Sequence, residues 1–267
     1  MTQIPHGAYD GVSVYGGIYL EYVLITAGGI ALCSFVGAVI GFFFENISPT
    51  VEDALSGAAA GIMLCAAVLG LVAPSIEFSG QNAAWLPTVG IFCGAGFLTL
   101  INRAGPRLTA KIGMKSGDAS SRERALLFVM AIAIHHFPEG IAAGVSFGTG
   151  DVSDAVTVCS GIAFQNIPEA MIIIPPLLSA GTGKRRAAFI AFVSGFVEVV
   201  GVFFGYFAIT LSTAILPFAL AFAAGTMLYV IVDDLVPQTH VRGSGRLATY
   251  AMLCGFCLML FVDFAVG

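Results

Sequence analysis

The amino-acid sequence predicts an all-α, polytopic membrane protein, with eight transmembrane helices arranged as a 3+2+3 inverted-repeat bundle. Three observations carry this prediction. The chain is 58% hydrophobic and only 10% charged, with a mean hydropathy of +0.94, whereas soluble globular chains average about 25% charged residues. Eight segments are long and apolar enough to cross a hydrocarbon core, which takes roughly 20 residues of helix. Two short motifs also recur at positions symmetric about the middle of the chain.

The spans fall at about 22–44, 54–74, 83–100, 125–145, 155–178, 187–209, 214–236 and 247–265. Their connections are short, except for a loop at 101–124 between the third and fourth. Residues 1–267 therefore read as a single transmembrane domain, with a short external segment at 1–17. The opening "MTQIPHGAYDG" has no basic region and no cleavage pattern, so no signal peptide is expected.

The basic residues orient the bundle. All 11 Lys and Arg fall in three places: Arg103, Arg107, Lys111, Lys115, Arg122 and Arg124; then Lys184, Arg185 and Arg186; then Arg242 and Arg246. These are the loops after spans three, five and seven, which an eight-span chain puts on one side. Short loops rich in Lys and Arg stay cytoplasmic, so both termini are expected outside a cell membrane, a bacterial inner membrane in this reading. The loop after span one carries only Glu45, Glu52 and Asp53, but acidic residues contribute little to orientation. With the basic residues confined to loops, the net charge of −5 says nothing about nucleic-acid or acidic partners, and no nucleic-acid partner is expected.

Cysteine and glycine report on packing. Cys33, Cys65, Cys93, Cys159, Cys254 and Cys257 lie in or beside apolar spans, where cysteine behaves as a small hydrophobe. "CGFC" at 254–257 has a redox or metal spacing, but no His or acidic neighbour accompanies it. "GAVIG" (37–41), "GAAAG" (57–61), "GIFCG" (90–94), "GIAAG" (140–144) and "GVFFG" (201–205) space glycines at four in five different spans. Such spacing lets helix backbones approach closely in lipid, which argues for a compact bundle.

The repeats are "HHFPEG" (135–140) with "QNIPEA" (165–170), and "AAGIML" (59–64) with "AAGTML" (223–228). The second pair is followed in each copy by a proline, Pro74 and Pro237. Both pairs join spans that run in opposite directions, which yields an inverted repeat about an axis in the membrane plane. Transporters commonly use this arrangement and hold their site near the midplane.

The first pair also carries the chemistry. His135 and Glu139 are i,i+4 on a helix, and His136 and Glu139 are i,i+3, so they share a face. Gln165, Asn166 and Glu169 repeat that geometry on the next span, and Glu198 adds a third mid-span carboxylate. Pro138 and Pro168 each remove a donor and free a carbonyl, that of Ile134 and of Phe164. Imidazole, carboxylate and amide oxygen together suit a borderline divalent ion such as zinc. An ionised residue at the bilayer centre costs ~2.5–3.5 kcal/mol on insertion scales, so three unpaired glutamates would cost on the order of 8–10 kcal/mol. No Lys or Arg lies in any span to offset them. Protons or metal must supply the positive charge, and two divalent ions would suffice.

"HHFPEG", "QNIPEA", Glu198 and "AAGTMLYVIVDDLVPQTH" together resemble the ZIP family of divalent metal transporters, in particular its bacterial GufA-like branch. The resemblance extends over nearly the whole chain and implies a binuclear centre. One site would take His135, Glu139, Gln165 and Glu169. The other would take His136, Asn166 and Glu198, with Glu139 and Glu169 bridging. The family usually has Asn at the place of His136, and some relatives an acid at the place of Asn166. The family's long loop is often rich in histidine, whereas 101–124 contains none.

Several residues carry weaker signals. Asp233, Asp234 and His240 could form an exit relay or a solvated face. Met63 and Met227 could line a path or pack in the core. Glu77, Asp151 and Asp154 could draw cations to the entrance. The expected cargo is zinc, with cadmium, iron, manganese and cobalt as alternatives, and no prosthetic cofactor is expected. The expected surroundings are lipid, with a homodimer left open. An intramembrane metal-dependent hydrolase is the alternative function, but the chain lacks the HExxH pattern. A sensing or structural membrane protein is the third reading.

Overall fold

The computed structural model describes residues 12–43, 48–80, 83, 85–111, 121–241 and 245–266. Among these the chain forms eight successive helical rods and no strand. They are α1 (Val12–Phe43), α2 (Pro49–Ser79), α3 (Trp85–Lys111), α4 (Ser121–Ser146), α5 (Val152–Ser179), α6 (Lys184–Leu211), α7 (216–241) and α8 (Gly245–Val266). Helix is the form that apolar surroundings demand, because it satisfies every interior backbone group within the segment. Six stretches meet the length and hydropathy needed to cross a membrane: Leu20–Phe43, Pro49–Ser79, Val152–Pro175, Lys184–Leu211, Leu216–Leu235 and Gly245–Ala265. Trp85–Leu100 is a shorter apolar helix.

Several rods begin earlier or end later than their apolar cores. Helix α1 starts at Val12, inside the segment expected at 1–17. Helix α3 runs to Lys111 and α4 starts at Ser121, so much of the stretch expected as a loop at 101–124 is helical. Helix α2 starts at Pro49 because "SPTVED" is a helix-start signal: Ser48 Oγ accepts from Val51 N–H at 3.3 Å, with proline in the first turn. Asp53, expected in the loop, is therefore buried in the second turn of α2. Apolar length marks what sits in hydrocarbon, whereas backbone hydrogen bonding carries a helix on into the polar zone. Residues 1–11 and 112–120 lie outside the described residues.

Packing follows the inverted repeat. Helix α1 lies against α5 and α6, α4 against α6, α2 against α8, and α3 against α7. Exchanging α1 with α6, α2 with α7, α3 with α8 and α4 with α5 turns this pattern into itself. Two groups result: α1, α4, α5 and α6 in one, and α2, α3, α7 and α8 in the other. They meet where α2 touches α5 and where α4 touches α7.

All five glycine motifs lie at these contacts. Gly37 and Gly41 face α5, Gly57 and Gly61 face α8, Gly90 and Gly94 face α7, and Gly140 and Gly144 interlock with Gly201 and Gly205. A Cβ at Gly140 would lie 2.9 Å from the Gly201 Cα, a separation that only bare backbone allows. Cys254 and Cys257 lie exposed on α8, so "CGFC" forms no buried pair. Large apolar side chains such as Phe92, Phe189, Phe204 and Phe264 point outward, while the most polar mid-span residues point inward. That inversion suits a lipid solvent.

Helices α4 and α5 run unbroken through Pro138 and Pro168. The departures from α geometry lie instead on α2 and α7, as π-helical segments at Ala66–Val72 and Ile231–Leu235, just ahead of Pro74 and Pro237. There the Ala73 N–H reaches Val68 O, and the Val236 N–H reaches Ile231 O. The wider turn gives each proline ring room beside the carbonyl four residues earlier.

Candidate metal centre

Helices α4, α5 and α6 bring six polar side chains into the interior of the first group. His136 is 2% exposed, Glu139 1%, Gln165, Asn166 and Glu198 0%, and Glu169 8%. The interlock of Gly140 and Gly201 sets their level, since Glu139 adjoins one glycine and Glu198 precedes the other by a turn. A ligand atom from each of His136, Glu139 and Glu169 lies within 4.8 Å of the other two. His136 Nε2 is 3.7 Å from Glu169 Oε2, within ion-pair range but beyond a hydrogen bond.

The unmatched atoms indicate what this cluster is built for. Among the described residues, His136 Nε2, both carboxylate oxygens of Glu139, both polar atoms of the Gln165 amide, Asn166 Oδ1 and Glu198 Oε1 have no hydrogen-bond partner. Buried polar atoms without partners are rare and costly. Seven on three neighbouring helices, mostly with free lone pairs, form a donor set suited to a cation. No Lys or Arg occurs between residues 125 and 183, or between 187 and 241, to serve instead.

The opposite edges of the same side chains are held by the protein. His136 Nδ1 lies 3.0 Å from Ser194 O and 3.1 Å from Ser194 Oγ. A carbonyl can only accept, so Nδ1 carries the proton, and His136 in its neutral form then presents the Nε2 lone pair toward Glu169. Asn166 Nδ2 donates to Glu198 Oε2 at 2.5 Å and to Ser34 Oγ at 3.1 Å. A carboxylate accepts, so the amide nitrogen must face Glu198 and Oδ1 must face away. Orienting partners of this kind fix which atom a ligand offers.

Ser34 and Ser194 were not singled out by the sequence reading. Serine is common in apolar helices, and neither belongs to a repeated motif. The local sign was the placement of Ser194 four residues before Glu198, on the same face of α6.

The remaining candidates lie elsewhere. The side chain of His135 is outside the described residues, so the ligand set proposed for its site has no described imidazole. Met63 and Met227 are fully buried in the central apolar cluster. Asp233 is exposed and Asp234 half-buried on the π segment of α7. His240 Nδ1 lies 2.9 Å from Val236 O on its own helix. Among the described residues, Asp233, Asp234 and His240 form no converging group of ligand atoms. Glu77 and Asp151 are exposed and Asp154 half-buried.

Comparison with known proteins agrees with this architecture. The family described as "ZIP Zinc transporter" matches residues 109–263. Zinc transporter GufA of Myxococcus xanthus is 39% identical over 203 residues, covering 74% of this chain and 80% of that protein. Zinc transporter ZIPB of Bordetella bronchiseptica is 30% identical over 262 residues, covering 94% of this chain and 83% of its own length. Zinc transporter ZIP11 of Homo sapiens is 30% identical over 324 aligned positions, covering 86% and 93%. With its family match over more than half its length and relatives of which it covers 80% or more, this inverted-repeat helical protein belongs to the ZIP family.

Proposed function

We propose that the chain moves divalent transition-metal cations across a bacterial inner membrane toward the cytoplasm, with zinc as the main cargo. As a ZIP protein it is a transporter of divalent metal and not an enzyme. The observation that supports the finer reading is the buried convergence of His136, Glu139 and Glu169, in which the unpaired His136 Nε2 and Glu139 oxygens match zinc's taste for imidazole and carboxylate. In this reading His135, Glu139, Gln165 and Glu169 bind one ion, and His136, Asn166 and Glu198 bind a second, with both bridging glutamates shared. Cadmium, iron, manganese and cobalt are the competing cargoes, separated by ligand softness more than by raw affinity.

All these ligands belong to α4, α5 and α6, so one helix group carries the whole site. This suits a carrier in which that group shifts against α2, α3, α7 and α8. The test is uptake of zinc into proteoliposomes holding the purified protein. Metal accumulation above protein-free vesicles is expected. Binding without flux would instead support a sensor, and cleavage of a membrane peptide a hydrolase.

Orientation gives a separate expectation. With the native cysteines replaced, Asp151→Cys should react with an impermeant thiol reagent in intact cells, and Gly183→Cys should not. The reverse pattern would invert the topology.

His136 supplies a selectivity test. His136→Asn restores the family's usual residue and retains an oxygen donor, so transport should survive. Zinc uptake should fall more than manganese uptake, because losing imidazole penalises the borderline ion most. Paired uptake at matched surface expression decides this, and equal losses for both metals would deny His136 a ligand's role.

A further inference from the structure

The two halves of the repeat place Ser34 where its twin half carries an acid. An offset of 164 residues carries Ala59 onto Ala223, and also carries Gly37 and Gly41 of α1 onto Gly201 and Gly205 of α6. The same offset carries Ser34 onto Glu198. The shorter repeat carries His136 onto Asn166 and Glu139 onto Glu169. Two equivalent positions therefore flank the cluster, one holding a carboxylate and the other a hydroxyl. A single amide nitrogen joins them, since Asn166 Nδ2 donates to Glu198 at 2.5 Å and to Ser34 at 3.1 Å.

We infer that Ser34 is a positioning residue of the ion site, acting through Asn166. The inference rests on the proposed ligand set. An amide nitrogen has two hydrogens, and these two bonds use both. Rotation of the amide would bring Oδ1 against the Glu198 carboxylate and the Ser34 oxygen, so Oδ1 stays aimed at the side where it has no protein partner. Ser34 Oγ in turn donates to Ile30 O at 3.1 Å, which leaves its lone pairs free to accept from Asn166.

The setting is made for this contact. Ser34 is buried at 6% exposure on the face of α1 that meets α5 and α6. Gly195 of α6 lies directly opposite: a Cβ there would come 3.0 Å from Ser34 Cβ and 3.2 Å from its Oγ. When a cation draws Glu198 away, Ser34 is the anchor that remains for Asn166. Helix α1, which contributes none of the proposed ligands, thereby governs the orientation of one.

Zinc binding to the purified full chain in detergent, measured by calorimetry, tests this through a double-mutant cycle. Ser34→Ala should weaken zinc binding about 10-fold, the lower end of the usual effect of removing an outer partner of a ligand. In an Asn166→Ala background the same change should have almost no further effect, because the two residues act as one unit. Ser34→Thr, which keeps the hydroxyl, should restore most of the affinity. Full additivity in the cycle, or unchanged affinity in Ser34→Ala, would overturn the inference. So would loss of folded protein in Ser34→Ala and Ser34→Thr alike, since Ser34 would then only pack. Failure of the unmodified protein to bind zinc would overturn the ion site itself and is read separately from the cycle.

Discussion

Glu139→Ala should stop metal uptake, and Glu169→Ala should do the same. Each carboxylate is proposed to bridge two ions, so each substitution removes a ligand from both. Loss of an outer partner alone costs 10–100-fold in metal affinity, so loss of a bridging ligand should lower uptake by at least about 100-fold, to the level of protein-free vesicles. Stability should move the other way. Glu139 is buried with neither oxygen bonded among the described residues, and a buried polar group left without a partner costs about 1–3 kcal/mol. Without metal, Glu139→Ala should therefore melt no lower than the unmodified protein. Added zinc should raise the melting temperature of the unmodified protein, because a ligand that binds only the folded state stabilises it. The variant should lose that rise. Near-normal uptake by a correctly inserted variant would remove the site as drawn, and so would an undiminished zinc-dependent rise in melting temperature.

Gly201→Leu should disrupt the protein by a different route, through packing. Gly201 faces α4, where an added Cβ would meet the Phe137 carbonyl and lie 3.0 Å from both the Gly140 Cα and the Ile141 nitrogen. All three are helix backbone, so nothing can swing aside and α6 must move away from α4. Overfilling a packed interior costs typically 1–3 kcal/mol, and the four side-chain carbons of leucine should put this substitution at or above the top of that range. Glu198 lies one turn before Gly201 and travels with it, away from His136 and Glu139. Gly201→Leu should thus lower the melting temperature and abolish uptake together. Gly96→Leu is the control, because a Cβ at Gly96 meets nothing within 4 Å. Equal damage from both substitutions would show that glycine acts here through chain flexibility and not through close approach.

Much of this was readable along the chain. Length and apolarity are local properties, and they put an apolar stretch in each helical rod, although α1 begins at Val12 and α3 runs on to Lys111, well beyond theirs. The glycine pairs were legible because a spacing of four puts both on one helix face. The buried polar residues stood out because His136, Glu139, Gln165, Asn166, Glu169 and Glu198 are expensive in lipid and have no basic residue nearby in sequence. The repeat could be seen because its halves still share residues, as at Ala59–Leu64 and Ala223–Leu228.

Tertiary structure alone decided which surfaces meet. No local pattern states that Gly140 faces Gly201, or that α1 lies between α5 and α6, because helix rotation and register are set by the fit of whole faces. Ser34 and Asn166 are 132 residues apart, and Gly195 leaves the space in which Ser34 sits. The tautomer of His136 likewise depends on a backbone carbonyl of α6. The prolines were visible in the sequence, but whether each would break, widen or merely cross its helix depended on what its neighbours could accept. The sequence by itself therefore determined the solvent, the class of fold and the chemistry available. Which atoms of those residues face one another followed from three-dimensional packing, because hydrogen-bond direction depends on the relative rotation of helices far apart in the chain.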